Sequence, residues 1–508
     1  MKRSEFLRQL GLVTGGVALG LDGGMPAKAF SYNPFMMDMA GTNGNILVLV
    51  QLGGGNDGLN TVIPYEDSVY YTQRPTVAIA KKDALTINAL TGLNPAMGAM
   101  KSLYDNGKMS IIQSVGYASP NLSHFRSTDI WLSGSDANQV LTEGWAGRYL
   151  TKSFPDFPLK TPPEPMAIQL GSVESMLLES QYGSMGTVFD DPSTFYQLVN
   201  GSTADNDPPP ATLAGDELKF LKQVASQSIQ YSGVIKEKAD KGRNVITYPN
   251  TGLARQLAIV AKLISGGGNT PVYLTTMGGF DTHANQVSQH FNLWKTVSDA
   301  VAAFQLDIER QGLGDKVTLM TFSEFGRRVN QNGTNGTDHG TAAPLFVIGK
   351  TVRGGIIGAN PDLKDLDSNG NIKFKNDYRQ VYNSILRDHL GMSQTETQGV
   401  LIKDFERLPI FKASAEQFPA QSGFTLSQNY PNPVQDSTTI VYEINKKQDI
   451  RIILSDLSGQ ELAVMKDETA EPGLYNFRFD TRNLPNGLYL YSMTGSGNRQ
   501  TLKMIVQK

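Results

Sequence analysis

One pattern constrains the fold of this chain more than any other: continuous apolar runs of strand length, each ending in a polar, glycine-rich loop. Ile46–Leu52 and Val317–Phe322 are such runs, and residues 109–115 form another. A strand without polar alternation is buried on both faces, which is typical of a parallel sheet. Stretches with helical periodicity alternate with these runs, so the sequence predicts an α/β domain.

Two of the strand-end loops place aspartate and histidine close together. Asp281 and His283 follow a strand predicted over 271–276, and Asp338 and His339 close the loop that begins after Val317–Phe322. A hard carboxylate oxygen and a borderline imidazole nitrogen together suit a divalent metal ion. Because the chain has only 5 histidines, we predict that these two loops assemble one metal site.

Two further loops offer candidates whose ordinary structural roles stay open. Asp57 lies beyond the carboxyl end of Ile46–Leu52, where open α/β sheets place ligand groups, but a turn aspartate also fits this position. Ser123 stands at a predicted helix start, which suits either a nucleophilic hydroxyl or a plain N-cap. His124 is either part of the same site or a core histidine.

Composition narrows the classes of partner and chemistry. The chain has 508 residues, which is long enough for two or three domains, and a formal net charge of -3. Without a basic surface, nucleic acid is not expected as a partner. Cysteine is absent, which excludes disulfides, thiolate metal sites and a cysteine nucleophile.

The first residues predict export. Residues 1–29 combine a basic start, a short apolar run over 10–21 and a small-residue cleavage site at 27–29. The apolar run is too short to cross a bilayer, so no transmembrane helix is expected in the mature protein. The segment resembles a twin-arginine signal, but Ser4 stands where the second arginine belongs, so both export routes stay open. An amphipathic first helix is the alternative.

The composition changes near the C-terminus. Residues 412–422 form a polar linker, and short alternating runs then follow at regular spacing, over 438–444, 450–457, 475–480, 487–494 and 500–506. Turn residues separate these runs. The pattern predicts that 423–508 fold as a small antiparallel β-sandwich.

Five motifs in combination resemble the bacterial domain of unknown function 1501 family. They are GGGNDGLN (53–60), SHF (123–125), GGFDTH (278–283), SEFGR (323–327) and GTDHG (336–340). The resemblance covers 45–411, and that family is similar to the alkaline phosphatase and sulfatase superfamily. It implies an alkaline-phosphatase-like fold, with a mostly parallel central sheet, helices on both faces and metals at the carboxyl ends of the strands.

The same resemblance implies roles for individual residues. Its implied metal ligands are Asp57, Asp281, His283, Asp338 and His339, with Glu324 as a further ligand or a supporting base. Its implied catalytic residues are Ser123 as nucleophile, His124, and Arg327 or Arg126 as the group that binds an oxyanion. We expect two divalent ions; histidine ligands favour zinc or manganese, with magnesium and calcium as alternatives.

The C-terminal motifs resemble the type IX secretion (type A) sorting domain. They are YPNP (430–433), GLY (473–475), GLYLY (487–491) and KMIV (503–506). This resemblance implies a Bacteroidetes-type envelope, the type IX secretion machinery as a partner, transit through the periplasm, and release or attachment at the outer-membrane surface. A carbohydrate-binding β-domain is the alternative.

These expectations combine into one function and one alternative. The chain is expected to be a secreted or cell-surface metal-dependent hydrolase of sulfate or phosphate esters, with polysaccharide esters among its substrates. The alternative is a non-catalytic, metal-containing surface protein that binds glycans or acts in envelope assembly.

Overall fold

The computed structural model describes residues 43–200, 213–412, 424–426, 429 and 431–508, the last range without 445, 458, 472, 496 and 497. These residues form two compact units, which divide between Ile410 and Phe411. The predicted export signal and residues 413–422 of the predicted linker lie outside the described residues.

The first unit is built around a nine-stranded sheet. Its strands, with those of three small sheets, are in chain order β1 (Ile46–Leu52), β2 (Val62–Ile63), β3 (Leu85–Thr86), β4 (Gly92–Leu93), β5 (Met109–Gly116), β6 (Ala167–Leu170), β7 (Glu179–Ser180), β8 (Gly183–Ser184), β9 (Gly186–Phe189), β10 (Val272–Met277), β11 (Val317–Phe322), β12 (Arg327–Gln331), β13 (Thr337–His339), β14 (Ala343–Gly349), β15 (Gly355–Ile357) and β16 (Asn376–Asp377).

The directions of the strands in the large sheet determine at which edge of the sheet each strand ends. The order is β15-β5-β14-β11-β1-β10-β6-β9, and β16 pairs with β5. β1 runs parallel to β10 and β11, and β10, β6 and β9 continue in parallel. β14 is antiparallel to both β11 and β5, so β5 runs in the same direction as β11. The carboxyl ends of β1, β5, β10 and β11 therefore lie at one edge of the sheet.

Helices connect the strands. In chain order they are α1 (Gly58–Thr61), α2 (Ser68–Gln73), α3 (Gly98–Asp105), α4 (His124–Ser133), α5 (Trp145–Ser153), α6 (Pro192–Val199), α7 (Leu213–Lys241), α8 (Gly252–Ser265), α9 (Gln286–Arg310), α10 (Tyr378–Ser384) and α11 (Gln394–Leu401). Short 3-10 turns lie at Pro95–Met97 and Met176–Leu178, and one π-helical turn follows α10 at Ile385–His389.

Helices cover both faces of the sheet. On one face, Val48 of β1 shares a hydrophobic core with Leu257 of α8 and Trp294 of α9. On the other, Trp131 of α4 stacks on Phe322 of β11 with ring centroids 6.2 Å apart. Because both faces are buried, the strands carry the unbroken apolar runs seen in the sequence.

The second unit consists of two antiparallel sheets that share one core. The sheets have the orders β17-β18-β21 and β20-β19-β22-β23. Their strands are β17 (Phe424–Leu426), β18 (Ser437–Ile444), β19 (Gln448–Ser455), β20 (Glu461–Ala470), β21 (Gly473–Asp480), β22 (Gly487–Gly495) and β23 (Asn498–Val506). Ile440, Ile452 and Tyr491 meet in the common core, so this unit is a β-sandwich.

The fold-class prediction is confirmed: the first unit has a mostly parallel sheet flanked by helices, and the second is all β. Two strands of the second unit, β17 and β20, were not predicted. β20 alternates only weakly, because it is an edge strand whose side chains are mostly exposed or half-buried. In the described part of the chain, no helix combines the length and the hydropathy of a membrane span.

A buried histidine fastens β1 to the π-helical turn. His389 is 2% exposed; its Nε2 donates to the carbonyl of Ile46 (3.0 Å) and its Nδ1 accepts from the hydroxyl of Thr318 (3.3 Å). Burial lowers the pKa of His389 to about 4, although the hydrogen bond to Ile46 acts in the opposite direction. The unfolded chain therefore binds a proton between pH 6.5 and pH 4 that the folded chain does not, and the folded state loses stability as the pH falls through this range.

We predict that His389→Gln removes this pH dependence. At neutral pH the wild type is more stable than the variant, but their difference in unfolding free energy shrinks by about 3 kcal/mol between pH 7 and pH 4. Urea titrations followed by tryptophan fluorescence measure it, because all 3 tryptophans belong to the first unit. A difference that stays constant over this pH range contradicts the prediction.

Candidate metal centre

Loops that follow three strands meet at the carboxyl edge of the large sheet. β5 leads to Ser123 and His124 at the start of α4, β10 leads to Asp281 and His283, and β11 leads to the hairpin of β12 and β13. His339, the last residue of β13, pairs with the first residue of β12. The chain thus brings three of its 5 histidines to one place.

The ring nitrogens of these histidines converge on one carboxylate. Oδ1 of Asp281 lies 3.0 Å from Nε2 of His283 and 3.2 Å from Nε2 of His339, and Oδ2 lies 3.5 Å from Nε2 of His124. The Nε2 atoms of His283 and His339 are 3.0 Å apart. His124, Asp281 and His339 each offer a ligand atom, and these atoms lie within 4.8 Å of one another, which makes the three side chains a candidate set of metal ligands.

The other nitrogen of each ring is bound to an oxygen acceptor. Nδ1 of His124 lies 2.8 Å from Oε1 of Glu324, and Nδ1 of His283 lies 3.2 Å from Oδ1 of Asp338. Nδ1 of His339 lies 2.8 Å from the carbonyl of Leu122. Each acceptor places the ring proton on Nδ1, which leaves the Nε2 lone pair facing the cluster. Metal-binding histidines are commonly held in this way.

The spacing of the donor atoms fits a metal ion. Tetrahedral ligands at about 2.0–2.1 Å from zinc lie about 3.3 Å from one another. The separations of 3.0, 3.2 and 3.5 Å between the Asp281 oxygens and the three Nε2 atoms bracket this value. Two Nε2 lone pairs at 3.0 Å also repel each other in the neutral tautomers, and a cation between them removes that repulsion. The residues present therefore fit a divalent ion held by imidazole and carboxylate.

Electrostatics keep the central carboxylate ionised. Partial burial raises the pKa of Asp281, but the hydrogen bond and charge of Arg327, with contributions from His339 and His283, lower it to about 2. An ionised carboxylate offers its lone pairs to a cation. Phe325 forms an apolar wall beside the cluster, with its ring 4.9 Å from that of His124 and 4.6 Å from that of His339.

Two glycines allow the loops to approach this closely. Gly54 has a positive φ of 122°, and a Cβ there would lie 2.3 Å from the amide nitrogen of Asp281. A Cβ on Gly336 would lie 2.2 Å from the carbonyl carbon of His283. Side chains at these positions would push the ligand loops apart.

Glu324 and Asp338 lie behind the histidines, whereas the sequence suggested that they are ligands themselves. Glu324 is 4% exposed, and its Oε1 accepts from the amide of Gly54 (2.7 Å) as well as from His124. Oδ1 of Asp338 accepts from Asn332 (3.1 Å) and from His283. Through these oxygens the two carboxylates orient the rings of His124 and His283.

Asp57 is not brought into the cluster. It is fully buried, and its Oδ2 forms an ion pair with Arg74 at 2.6 Å. Its Oδ1 caps α1 through the amide of Leu59 (3.2 Å). Burial raises the pKa of Asp57, but the charge of Arg74 lowers it below its usual range. The turn role left open by the sequence is thus observed, together with a buried ion pair that the sequence did not predict.

Arg327 is not free to bind an oxyanion. Its guanidinium is 1% exposed and donates to the carbonyls of Gly55 (2.7 Å) and Thr337 (2.8 Å). It reaches the cluster through Oδ1 of Asp281 at 2.6 Å. Arg126 is also engaged, since its Nη2 donates to the carbonyl of Gln139 at 2.6 Å. Arg327 therefore joins the loops and holds Asp281.

Ser123 is the N-cap of α4. Its side chain is exposed, makes no capping hydrogen bond, and directly precedes His124. His124, expected as a catalytic residue, contributes its ring to the cluster instead. Its burial next to Glu324 could have been anticipated only by knowing that the β5 and β11 loops meet.

The fold and the site define an α/β protein with a histidine–aspartate centre at the carboxyl edge of a parallel sheet. The chain belongs to the family described as protein of unknown function (DUF1501), which matches residues 131–399. Residues 428–507 match the secretion system C-terminal sorting domain, which indicates export followed by secretion or surface attachment. Both predicted resemblances are confirmed.

Comparison with solved structures gives loose similarities. The PsFucS1 sulfatase from Pseudoalteromonas sp. is 10% identical, with coverage of 86% of this chain and 84% of that one, at a TM-score of 0.32. A protein of the alkaline phosphatase superfamily from Vibrio parahaemolyticus is 8% identical, with coverage of 99% and 91%, at 0.30. Latent PorU from Porphyromonas gingivalis is 20% identical over 16% of this chain, which spans 9% of PorU, at 0.15. No curated protein matches the sequence.

We predict that Glu324→Gln weakens Zn²⁺ binding by about 10–100-fold, because the neutral amide holds the His124 ring less firmly and makes it a poorer ligand. Competition with a chelating dye measures the affinity. The matched control is Glu66→Gln, an exposed glutamate paired with Lys81. Equal affinities for the two variants contradict the assigned role of Glu324.

Proposed function

We propose that this protein is a secreted or cell-surface hydrolase of sulfate or phosphate esters that uses one divalent metal ion. The observation that carries the proposal is the convergence of three imidazoles on Asp281, with the exposed residue Ser123 directly before His124 in the chain. Zinc or manganese suits this ligand set better than magnesium or calcium.

We propose one ion, whereas the sequence predicts two. From the sequence, we expect Asp57, Glu324 and Asp338 to supply part of a second ligand set. In the structure, Asp57 is bound to Arg74, Glu324 to His124 and Asp338 to His283. The cluster that remains has three Nε2 atoms and one carboxylate, which is the donor set of a single ion.

The residues of the cluster and Ser123 have separate roles in the proposed reaction. A divalent ion held by the cluster supplies Lewis acidity, which lowers the pKa of a nearby hydroxyl and stabilises charge on the leaving oxygen. Ser123 Oγ forms the new bond to phosphorus or sulfur, its proton passes to the solvent that it faces, and the bond to the leaving oxygen breaks. Hydrolysis by water then releases the inorganic anion and restores the hydroxyl.

Export defines where this activity takes place. The sorting domain matched at 428–507 supports handling by the type IX secretion machinery, transit through the periplasm, and release or attachment at the outer-membrane surface. Esters on extracellular polysaccharides are the substrates most accessible there.

One observation favours a non-catalytic alternative. Hydrolases of this kind stabilise the equatorial oxygens of the anion with cationic groups. Here the two arginines expected for that task, Arg126 and Arg327, donate to backbone carbonyls. The alternative is a metal-containing surface protein that binds glycans or acts in envelope assembly.

We expect full-length protein to carry near-stoichiometric metal by mass spectrometry and to hydrolyse an aryl sulfate or an aryl phosphate. The double variant His283→Ala/His339→Ala should lose both metal and turnover, because two of the three imidazoles are removed. Ser123→Ala should keep the metal but lose about 10³-fold or more in kcat.

The control for Ser123→Ala is Ser288→Ala, which changes an exposed serine on α9. Metal without turnover in the wild type would support the alternative. A wild type that binds no metal after reloading would reject the metal centre, and turnover retained in Ser123→Ala would reject this serine as the nucleophile.

A further inference from the structure

One side chain joins two of the loops that form the cluster. Gln286, the first residue of α9, is fully buried. Its Oε1 accepts hydrogen bonds from the hydroxyls of Thr282 (3.1 Å) and Thr337 (2.5 Å). Thr282 lies between Asp281 and His283. Thr337 begins β13, which ends at His339. A single amide therefore holds both ligand loops.

The orientation of that amide is set by a buried carboxylate. Nε2 of Gln286 donates to Oδ2 of Asp57, the oxygen that also binds Arg74. The side chains of Asp57 and Arg74 are both 0% exposed. An ionised carboxylate accepts hydrogen bonds and cannot donate them. Gln286 must therefore turn its NH₂ group to Asp57 and its carbonyl to the two threonines.

Backbone contacts show that the two loops depend on each other. The amide of Thr337 donates to the carbonyl of Thr282 (3.2 Å), and the amide of Gln286 donates to the carbonyl of Asn335 (2.9 Å). A shift of one loop against the other would change the separations of the ligand nitrogens, which are close to tetrahedral spacing. Displacements well below 1 Å matter at such a site.

We propose that Gln286 is a positioning residue of the metal centre and that Asp57, with Arg74, fixes its amide. This gives Asp57 a role in the site without contact to the metal. The metal-binding part of the inference rests on the proposed metal centre, whereas the effect on the two loops does not.

The first test compares Gln286→Met with Gln305→Met in the full-length protein. Methionine has a similar shape but offers no hydrogen bonds of this strength. Gln305 is a matched control, since it is 2% exposed on the same helix and donates to Glu309 (2.7 Å) far from the cluster. Gln286→Met should bind Co²⁺ about 10–100-fold more weakly and shift the visible absorption bands of bound Co²⁺. Gln305→Met should leave both unchanged.

The second test isolates the hydroxyl. Thr337→Val keeps the branched shape but removes the donor to Gln286, and Thr337→Ser keeps the donor. Valine should reproduce the altered Co²⁺ spectrum, and serine should restore that of the wild type. If packing alone mattered, Thr337→Ser would alter the Co²⁺ spectrum more than Thr337→Val, because serine removes a methyl group.

Hydrogen exchange of the metal-free proteins separates this inference from the proposed function. Gln286→Met should accelerate hydrogen exchange at the backbone amides of Thr337 and of position 286, whereas Gln305→Met should not. If the wild type binds no metal, the proposed function fails and hydrogen exchange still decides the role of Gln286. Unchanged exchange, or Co²⁺ affinity and spectrum equal to those of Gln305→Met, overturns the inference.

Discussion

The parallel pairing of β1 with β10 and β11 is the constraint on which the rest of the structure depends. Parallel strands must end at the same edge of a sheet, so every loop that leaves their carboxyl ends starts within reach of the others. The antiparallel strand β14 restores this direction in β5. Helices on both faces bury the sheet, and the loops at its carboxyl edge carry the polar residues of the site.

Charge at that edge is arranged in two levels. Asp281 and the Nε2 atoms of three histidines form the inner level. Glu324 and Asp338 form the outer level and bind ring protons. A carboxylate in the outer level orients the histidine ring that it contacts and makes that ring more basic.

The buried arginines give this edge its rigidity. Arg74 and Arg327 are both fully or almost fully buried and donate to backbone carbonyls of the strand and hairpin around the centre. A buried guanidinium is costly unless its donors are bound and its charge is paired, and here Asp57 and Asp281 supply the pairing charge. The same pairing occupies guanidinium donors of both side chains.

Much of the architecture was readable from the sequence, because burial on both faces of a parallel strand leaves an unbroken apolar run. Val317–Phe322 was predicted with its observed bounds, and Asp281, His283 and His339 were recognised as candidate ligands since aspartate and histidine rarely recur after strands without a metal role. The edge strand β20 was missed, since half-exposed residues show little alternation. The C-terminal sorting domain was identified by its motifs.

Tertiary structure alone decided what each polar residue does. Asp57 and Asp281 both follow apolar strands, but Asp57 meets Arg74 across 17 residues and Asp281 meets histidines from two other loops. Glu324 became the partner of His124, 200 residues away in the chain. The sequence by itself determined which residue types reach the edge of the sheet, because hydrophobicity and strand direction are local properties. Their partners depend on which loops meet, and that is set only when the strands pair.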